Sequence, residues 1–140
     1  MTSRNAGIGL DPIDVRFRAG EAYEIRVRDH LLLADQPVDA GGADTAPSPT
    51  ELFAASLASC VAYYAGRYLS RHGHDRAGLT VTASFEMATD RPARVAAIRI
   101  TVRPPTDLPA DRWPALRAVA SHCTVHNTLL STPQIEVDIE

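Results

Sequence analysis

A chain of 140 residues with 45% hydrophobic content is sized for one globular domain, residues 1–140. Its net charge of -3 leaves no basic footprint for nucleic acid. Its most apolar stretch is broken by Ser56 and Ser59 and ends at Arg67, so no membrane span is expected.

All 14 basic residues are arginine, a side chain that keeps its charge in partly buried pairs. Residues 1–5 lack the apolar run of a secretory signal, so a cytoplasmic location is expected. In that compartment two cysteines are more often free, catalytic or redox-active than a permanent staple.

Residues 1–10 are small and polar and are expected to fray. In residues 13–18, Ile13, Val15 and Phe17 alternate with Asp14, Arg16 and Arg18, the period of a strand. Gly20 marks a turn. Tyr23, Ile25 and Val27 then alternate with Glu24, Arg26 and Arg28 as a second strand. Asp29 and His30 read as a tight turn into a third strand over residues 31–34, completing an antiparallel meander. Residues 36–49, with Gly41, Gly42 and three prolines, form a loop.

A long helix is expected over residues 48–72. Ser48 is a good N-cap, Pro49 suits the first helical position, and Ser48-x-x-Glu51 is a capping box. Arg71 and His72 suit the C-terminal end of the dipole, and Gly73 supplies the stop. Leu52, Phe53, Leu57, Val61, Tyr64 and Leu69 leave this helix no broad polar face, so it should be buried. Residues 79–86 alternate as a strand, residues 89–92 look like a hairpin loop, and residues 95–102 return. Residues 108–122 are helical by pattern, with Pro109 and Pro114 disturbing the first turn. Residues 124–130 form a short helix or turn after Cys123. Ile135, Val137 and Ile139 alternate over residues 134–139 as a closing strand.

The order βββ-α-ββ-α-β describes an α+β domain. A small sheet covers only one side of the long helix. The other side calls for a second subunit, so a symmetric homodimer is expected, with these helices in its core.

Cys60 lies on the long helix and Cys123 at the end of the next. Both could be small apolar filler, since free cysteine is among the most buried residue types. A peroxide-reducing pair would need a thiolate nucleophile, a cation to lower its pKa, and a second thiol to capture the sulfenic acid as a disulfide. Cys60 is three turns inside its helix, beyond useful reach of the dipole, so an arginine would have to activate it.

The run Ser48-Pro49-Thr50-Glu51-Leu52-Phe53-Ala54, continuing to Cys60, resembles the "P-x-E-L…A…C" signature of the OsmC/Ohr family. His122-Cys123-Thr124-Val125-His126-Asn127-Thr128-Leu129 is similar to that family's second cysteine motif. Asp35-Gln36-Pro37 and Gly41-Gly42-Ala43-Asp44 resemble its approach to the helix. The resemblance implies an intertwined α+β homodimer with the cysteine pair at its interface. It implies thiol-dependent reduction of organic hydroperoxides in oxidative-stress defence, with Cys60 peroxidatic and Cys123 resolving. It also implies a dithiol reductant of lipoyl type and no cofactor.

Two departures stand out. The hydroperoxide reductases of the family carry a glutamate directly after the motif proline, where this chain has Thr50. Glu51 is one position on and is read first as the capping-box partner. Family peroxidases also use an arginine after the first strand. Arg18 is the best positional match and Arg28 the runner-up, although without the carboxylate its guanidinium lacks a partner to hold its fork. Thr124 replaces a usual proline.

His122 and His126 flank Cys123 at a spacing that could present two metal ligands, and His72-x-His74 is a second pair, but no acidic cluster joins them and no metal is expected. Trp113, Tyr63 and Tyr64 are read as packing residues, and the two tyrosines could also line an apolar pocket. A binding module with such a pocket and little peroxide chemistry is the alternative function.

Overall fold

The structure is a computed structural model and describes residues 12–140, so the segment expected to fray, residues 1–10, lies outside the described residues. Three antiparallel strands come first: β1 (Asp14–Ala19), β2 (Ala22–Val27) and β3 (His30–Ala34). The long helix α1 spans Pro49–Arg71. The hairpin of β4 (Thr80–Met87) and β5 (Val95–Arg103) follows, then α2 (Trp113–Ala120) and α3 (Thr124–Leu130). The fold is α+β as expected. The chain divides into two compact units, residues 1–52 and 53–140.

In the N-terminal unit the order is β1-β2-β3. Val15 pairs with Ile25, Phe17 with Tyr23, and Ile25 with Leu32. Strand alternation therefore puts Val15, Phe17, Tyr23, Ile25 and Leu32 on one face, and Asp14, Arg16, Glu24 and Arg26 on the other. The turn between β2 and β3 centres on Arg28 and Asp29, one residue earlier than expected. Arg28 takes the left-handed φ of 55° in that turn and is not a strand residue.

The loop to α1 is built around Asp35, which is 1% exposed. Its carboxylate accepts from the Gln36 N–H (2.7 Å), the Thr45 N–H (3.0 Å) and the Thr45 hydroxyl (2.6 Å). Thr45 and Gln36 together hold the carboxyl below the usual Asp value of 3.8, the Thr45 hydroxyl acting most strongly. A Cβ at Gly42 would collide with the Gln36 carbonyl, which explains glycine there.

Both ends of α1 follow the expected chemistry. The Glu51 N–H donates to Ser48 Oγ (3.2 Å), and the Ser48 N–H donates to Glu51 Oε1 (2.9 Å). At the C-terminus, Gly73 has φ 77° and the His74 N–H reaches back to the Leu69 carbonyl (2.8 Å), a Schellman closure.

In the C-terminal unit, Val81 pairs with Val102, Ala83 with Ile100, and Phe85 with Ile98, giving the hairpin one apolar face. Leu57, Val61, Ala120 and Cys123 form a buried cluster with Val81, Ile98, Ile100 and Val102 against it. A second cluster joins Ala65, Tyr68, Leu69, Leu108 and Leu116. The i, i+3, i+4 rhythm of Ala54, Leu57, Val61, Ala65 and Tyr68 is the stripe that α1 buries.

Within the chain α1 is buried along one side only: Phe53, Ser56, Ser59 and Tyr63 are exposed on the side for which a second subunit is expected. Two other expectations need correction. The helix expected over residues 108–122 is a 3-10 turn (Ala110–Arg112) followed by α2, because Pro109 and Pro114 cannot donate to a continuous ladder. Residues 134–139 form no strand. Their alternation is real, but no neighbouring strand in the described chain pairs with them, and Ile135, Val137 and Ile139 are 77%, 85% and 97% exposed.

Candidate functional site

Cys60 sits in the middle of α1, at the edge of its buried stripe, and is half-buried. Cys123 is the N-cap of α3 and is fully buried. Its sulfur accepts the His126 N–H at 3.3 Å, a weak bond that takes the place of an oxygen cap. Cys60 packs against the cluster that contains Cys123, and the two thiols adjoin. Both are free.

Burial pushes the Cys123 thiol above its usual value of 9.0; the His126 N–H opposes that rise, and the neighbouring Cys60 adds to it. At neutral pH Cys123 is therefore a protonated thiol in an apolar setting. The pair is asymmetric: Cys60 is partly exposed and Cys123 is not.

Arg18 belongs to β1, in the N-terminal unit. Its guanidinium bonds Glu24 Oε2 at 3.0 Å, and Arg26 approaches the other oxygen at 3.8 Å. Arg18's carboxylate partner among the described residues is thus Glu24, on the adjacent strand. It was hard to find because the β1–β2 register sets the pairing: Glu24 lies opposite Arg16, two residues from Arg18. Thr50 is in the first turn of α1, half-buried, and Glu51 is engaged in the cap.

Beyond Cys60 on α1 stands a polar and aromatic group. Tyr63 and Tyr64 meet edge to face at 5.5 Å. The Arg67 guanidinium lies 5.4 Å over the Tyr63 ring and donates to its hydroxyl at 3.2 Å. The Tyr64 hydroxyl shares a 2.7 Å hydrogen bond with Thr124 Oγ1, on the residue after Cys123. Arg67 is the residue of this group that sequence reasoning passed over, and Thr124 stood out there only as a replacement for a proline. Arg67 stands seven positions after Cys60, two helical turns along the same side, and that spacing was a readable signal. Trp113 is 53% exposed at the start of α2, so the packing role expected for it is not met within the chain.

The histidines do not converge. His122 Nδ1 faces the Ala118 carbonyl (2.6 Å), and His72 Nδ1 faces the Tyr68 carbonyl (2.8 Å) while its ring stacks on Tyr68 at 4.2 Å. Among the described residues no three His, Cys, Asp or Glu side chains gather as metal ligands. No helix of the described residues is long and apolar enough to cross a membrane.

Comparison with solved structures places this fold. The chain is similar to an osmotic-stress-induced and detoxification response protein from Psychrobacter arcticus, at 27% identity and TM-score 0.79, covering 89% of this chain and 91% of that one. It is similar in fold to an organic hydroperoxide resistance protein OsmC from Legionella pneumophila (19% identity, TM-score 0.65, 86% and 90% covered). The organic hydroperoxide resistance protein OhrB of Bacillus subtilis aligns comparably (19% identity, TM-score 0.64, 88% and 93% covered). No curated protein sequence matches the chain. The family described as OsmC-like protein matches residues 41–138, a span that takes in both cysteines, and the chain belongs to that family.

Proposed function

We propose that the chain is a thiol-dependent reductase of organic hydroperoxides, acting in oxidative-stress defence, with Cys60 peroxidatic and Cys123 resolving. The observation that carries this reading is the asymmetry of two adjoining free thiols, Cys60 half-buried and Cys123 fully enclosed. A nucleophile must meet substrate, whereas a resolving thiol needs only to meet the oxidised nucleophile.

In the first step the Cys60 thiolate attacks the terminal oxygen of the hydroperoxide. The O–O bond breaks, the alkoxide leaves and takes up a proton as alcohol, and Cys60 becomes a sulfenic acid. Arg18, paired through one guanidinium nitrogen with Glu24, is the proposed activating cation. In the second step Cys123 displaces the sulfenic oxygen as water and the disulfide forms. A small dithiol of lipoyl type then restores both thiols by exchange.

The working unit in this reading is one OsmC-like domain per chain, assembled as a cytoplasmic homodimer without a cofactor. Support for the dimer comes from the exposed alternating residues 134–139, the exposed side of α1, and the exposed apolar side chains Val15 and Phe17 of β1. A binding module with an apolar pocket is the second reading, favoured by Thr50 and by the capping role of Glu51.

The test is stopped-flow turnover with cumene hydroperoxide and a lipoyl-type dithiol. Wild type is expected to consume peroxide, Cys60→Ser to be inactive, and Cys123→Ser to stall after one equivalent. Wild-type protein that consumes no more than Cys60→Ser removes the enzyme reading.

A further inference from the structure

We infer that Tyr64 and Thr124 form a positioning pair for closure of the Cys60–Cys123 disulfide, a role that rests on the reading of these cysteines as a nucleophile and its resolving partner.

The geometry is specific. Tyr64 follows Cys60 by four residues, so the two side chains stand one turn apart on one side of α1. Thr124 follows Cys123 directly, as the first residue of α3. The Tyr64–Thr124 bond of 2.7 Å therefore runs beside the contact between the two thiols, joining the same two pieces of backbone. Among the described residues it is the one hydrogen bond between α1 and α3. The other ties of this segment are internal or nondirectional. The His126 N–H bonds Cys123, and the Asn127 side-chain amide reaches the His122 carbonyl at 3.3 Å. Val125 packs on the apolar cluster.

Apolar packing keeps Cys123 near α1 without fixing its register along the helix. The hydroxyl pair fixes it at the level of Cys60. This matters because disulfide geometry is demanding, with Cβ atoms about 3.5–4.5 Å apart. It matters most when closure competes with a second oxidation. Cys60 sulfenic acid has two fates. Attack by Cys123 forms the S–S bond, breaks the S–O bond and releases water. A second hydroperoxide instead delivers oxygen, leaving Cys60 as sulfinic acid and the peroxide as alcohol. Whatever raises the local concentration of Cys123 at Cys60 shifts the outcome toward the recoverable disulfide.

The test separates this role from the peroxide chemistry by closing the disulfide with diamide. One thiol adds to its N=N bond, and the second thiol displaces that adduct as the hydrazine. Closure is followed by loss of free thiols in the full-length reduced protein. In parallel, mass spectrometry measures the ratio of Cys60 sulfinic acid to disulfide under excess cumene hydroperoxide. Tyr64→Phe and Thr124→Val are each expected to slow closure by about three- to tenfold, the weight of one hydrogen bond, and to raise the sulfinic share by a similar factor. Thr124→Ser restores both values. The double variant is no worse than either single one, because both remove the same bond.

A merely structural bond would lower thermal stability in Tyr64→Phe without moving the sulfinic-to-disulfide ratio. Closure at the wild-type rate in both Tyr64→Phe and Thr124→Val overturns the inference, as does wild-type protein that forms no Cys60–Cys123 disulfide with diamide. If wild type consumes no peroxide yet the variants close slowly with diamide, the peroxidase reading falls and the positioning role stands.

Discussion

The two units of this chain are ordered by different forces. In residues 53–140, apolar side chains from α1, α2, α3 and the β4–β5 hairpin fill two clusters, and the cysteine pair is part of one of them. In residues 12–52, order comes from a strand ladder, cross-strand charge pairs and the Asp35 loop clasp. The apolar side chains Val15, Phe17 and Leu32 remain 59%, 65% and 42% exposed there. The first unit responds to lost volume, and the second to lost donors and acceptors. The unit that holds both cysteines is the one fixed by packing.

The largest expected effect lies in the packed unit. Leu69 is fully buried in the cluster with Ala65, Tyr68, Leu108 and Leu116. Leu69→Ala removes contacts and leaves a cavity, and should cost about 2–5 kcal/mol. Urea denaturation followed by circular dichroism measures it. A loss below about 1 kcal/mol would mean that this unit is not packed as described, and the contrast with the N-terminal unit would collapse.

A smaller effect is expected at the start of α1, where polar bonds do the ordering. Ser48→Ala removes the acceptor for the Glu51 N–H and should cost about 1 kcal/mol. Glu51→Gln keeps an acceptor for the Ser48 N–H, so melting temperature and peroxide turnover should both stay near wild type. Turnover lost at unchanged stability would give Glu51 a chemical role and place it in the catalytic set beside the cysteines.

The legibility of the sequence follows the range of the forces. The ends of α1 were readable because a capping box and a glycine stop are local. The alternation in β1, β2, β4 and β5 was readable because each strand has its partner close in sequence. Residues 134–139 carry the same alternation but form no strand, since periodicity specifies a face and says nothing of a partner. The Arg18–Glu24 pair needed the β1–β2 register, and the Tyr64–Thr124 bond needed the contact between α1 and α3. Both are tertiary facts. The reverse error occurred at Arg28, whose strand-like alternation hid a left-handed turn residue.

The smallest and most local effect is acidic and confined to the N-terminal unit. The Asp35 carboxyl is held below its usual value of 3.8, first by the Thr45 hydroxyl and then by the Thr45 and Gln36 N–H groups. A depressed carboxyl pKa means the folded loop prefers the charged form. Its contribution is therefore complete above the unfolded value and is lost as pH falls through the folded one. Protonation takes acceptor capacity from a carboxylate that receives three bonds, so the loop should loosen below about pH 3.8. Amide signals of Gln36 and Thr45 should shift in that acidic range, while those of Val81 and Ile100 hold. Asp35→Asn has one oxygen acceptor where the carboxylate has two, so it should show the loosened loop already at neutral pH and abolish the acid step. If instead Val81 and Ile100 shift together with Thr45, the clasp is not an independent device and the two units melt as one.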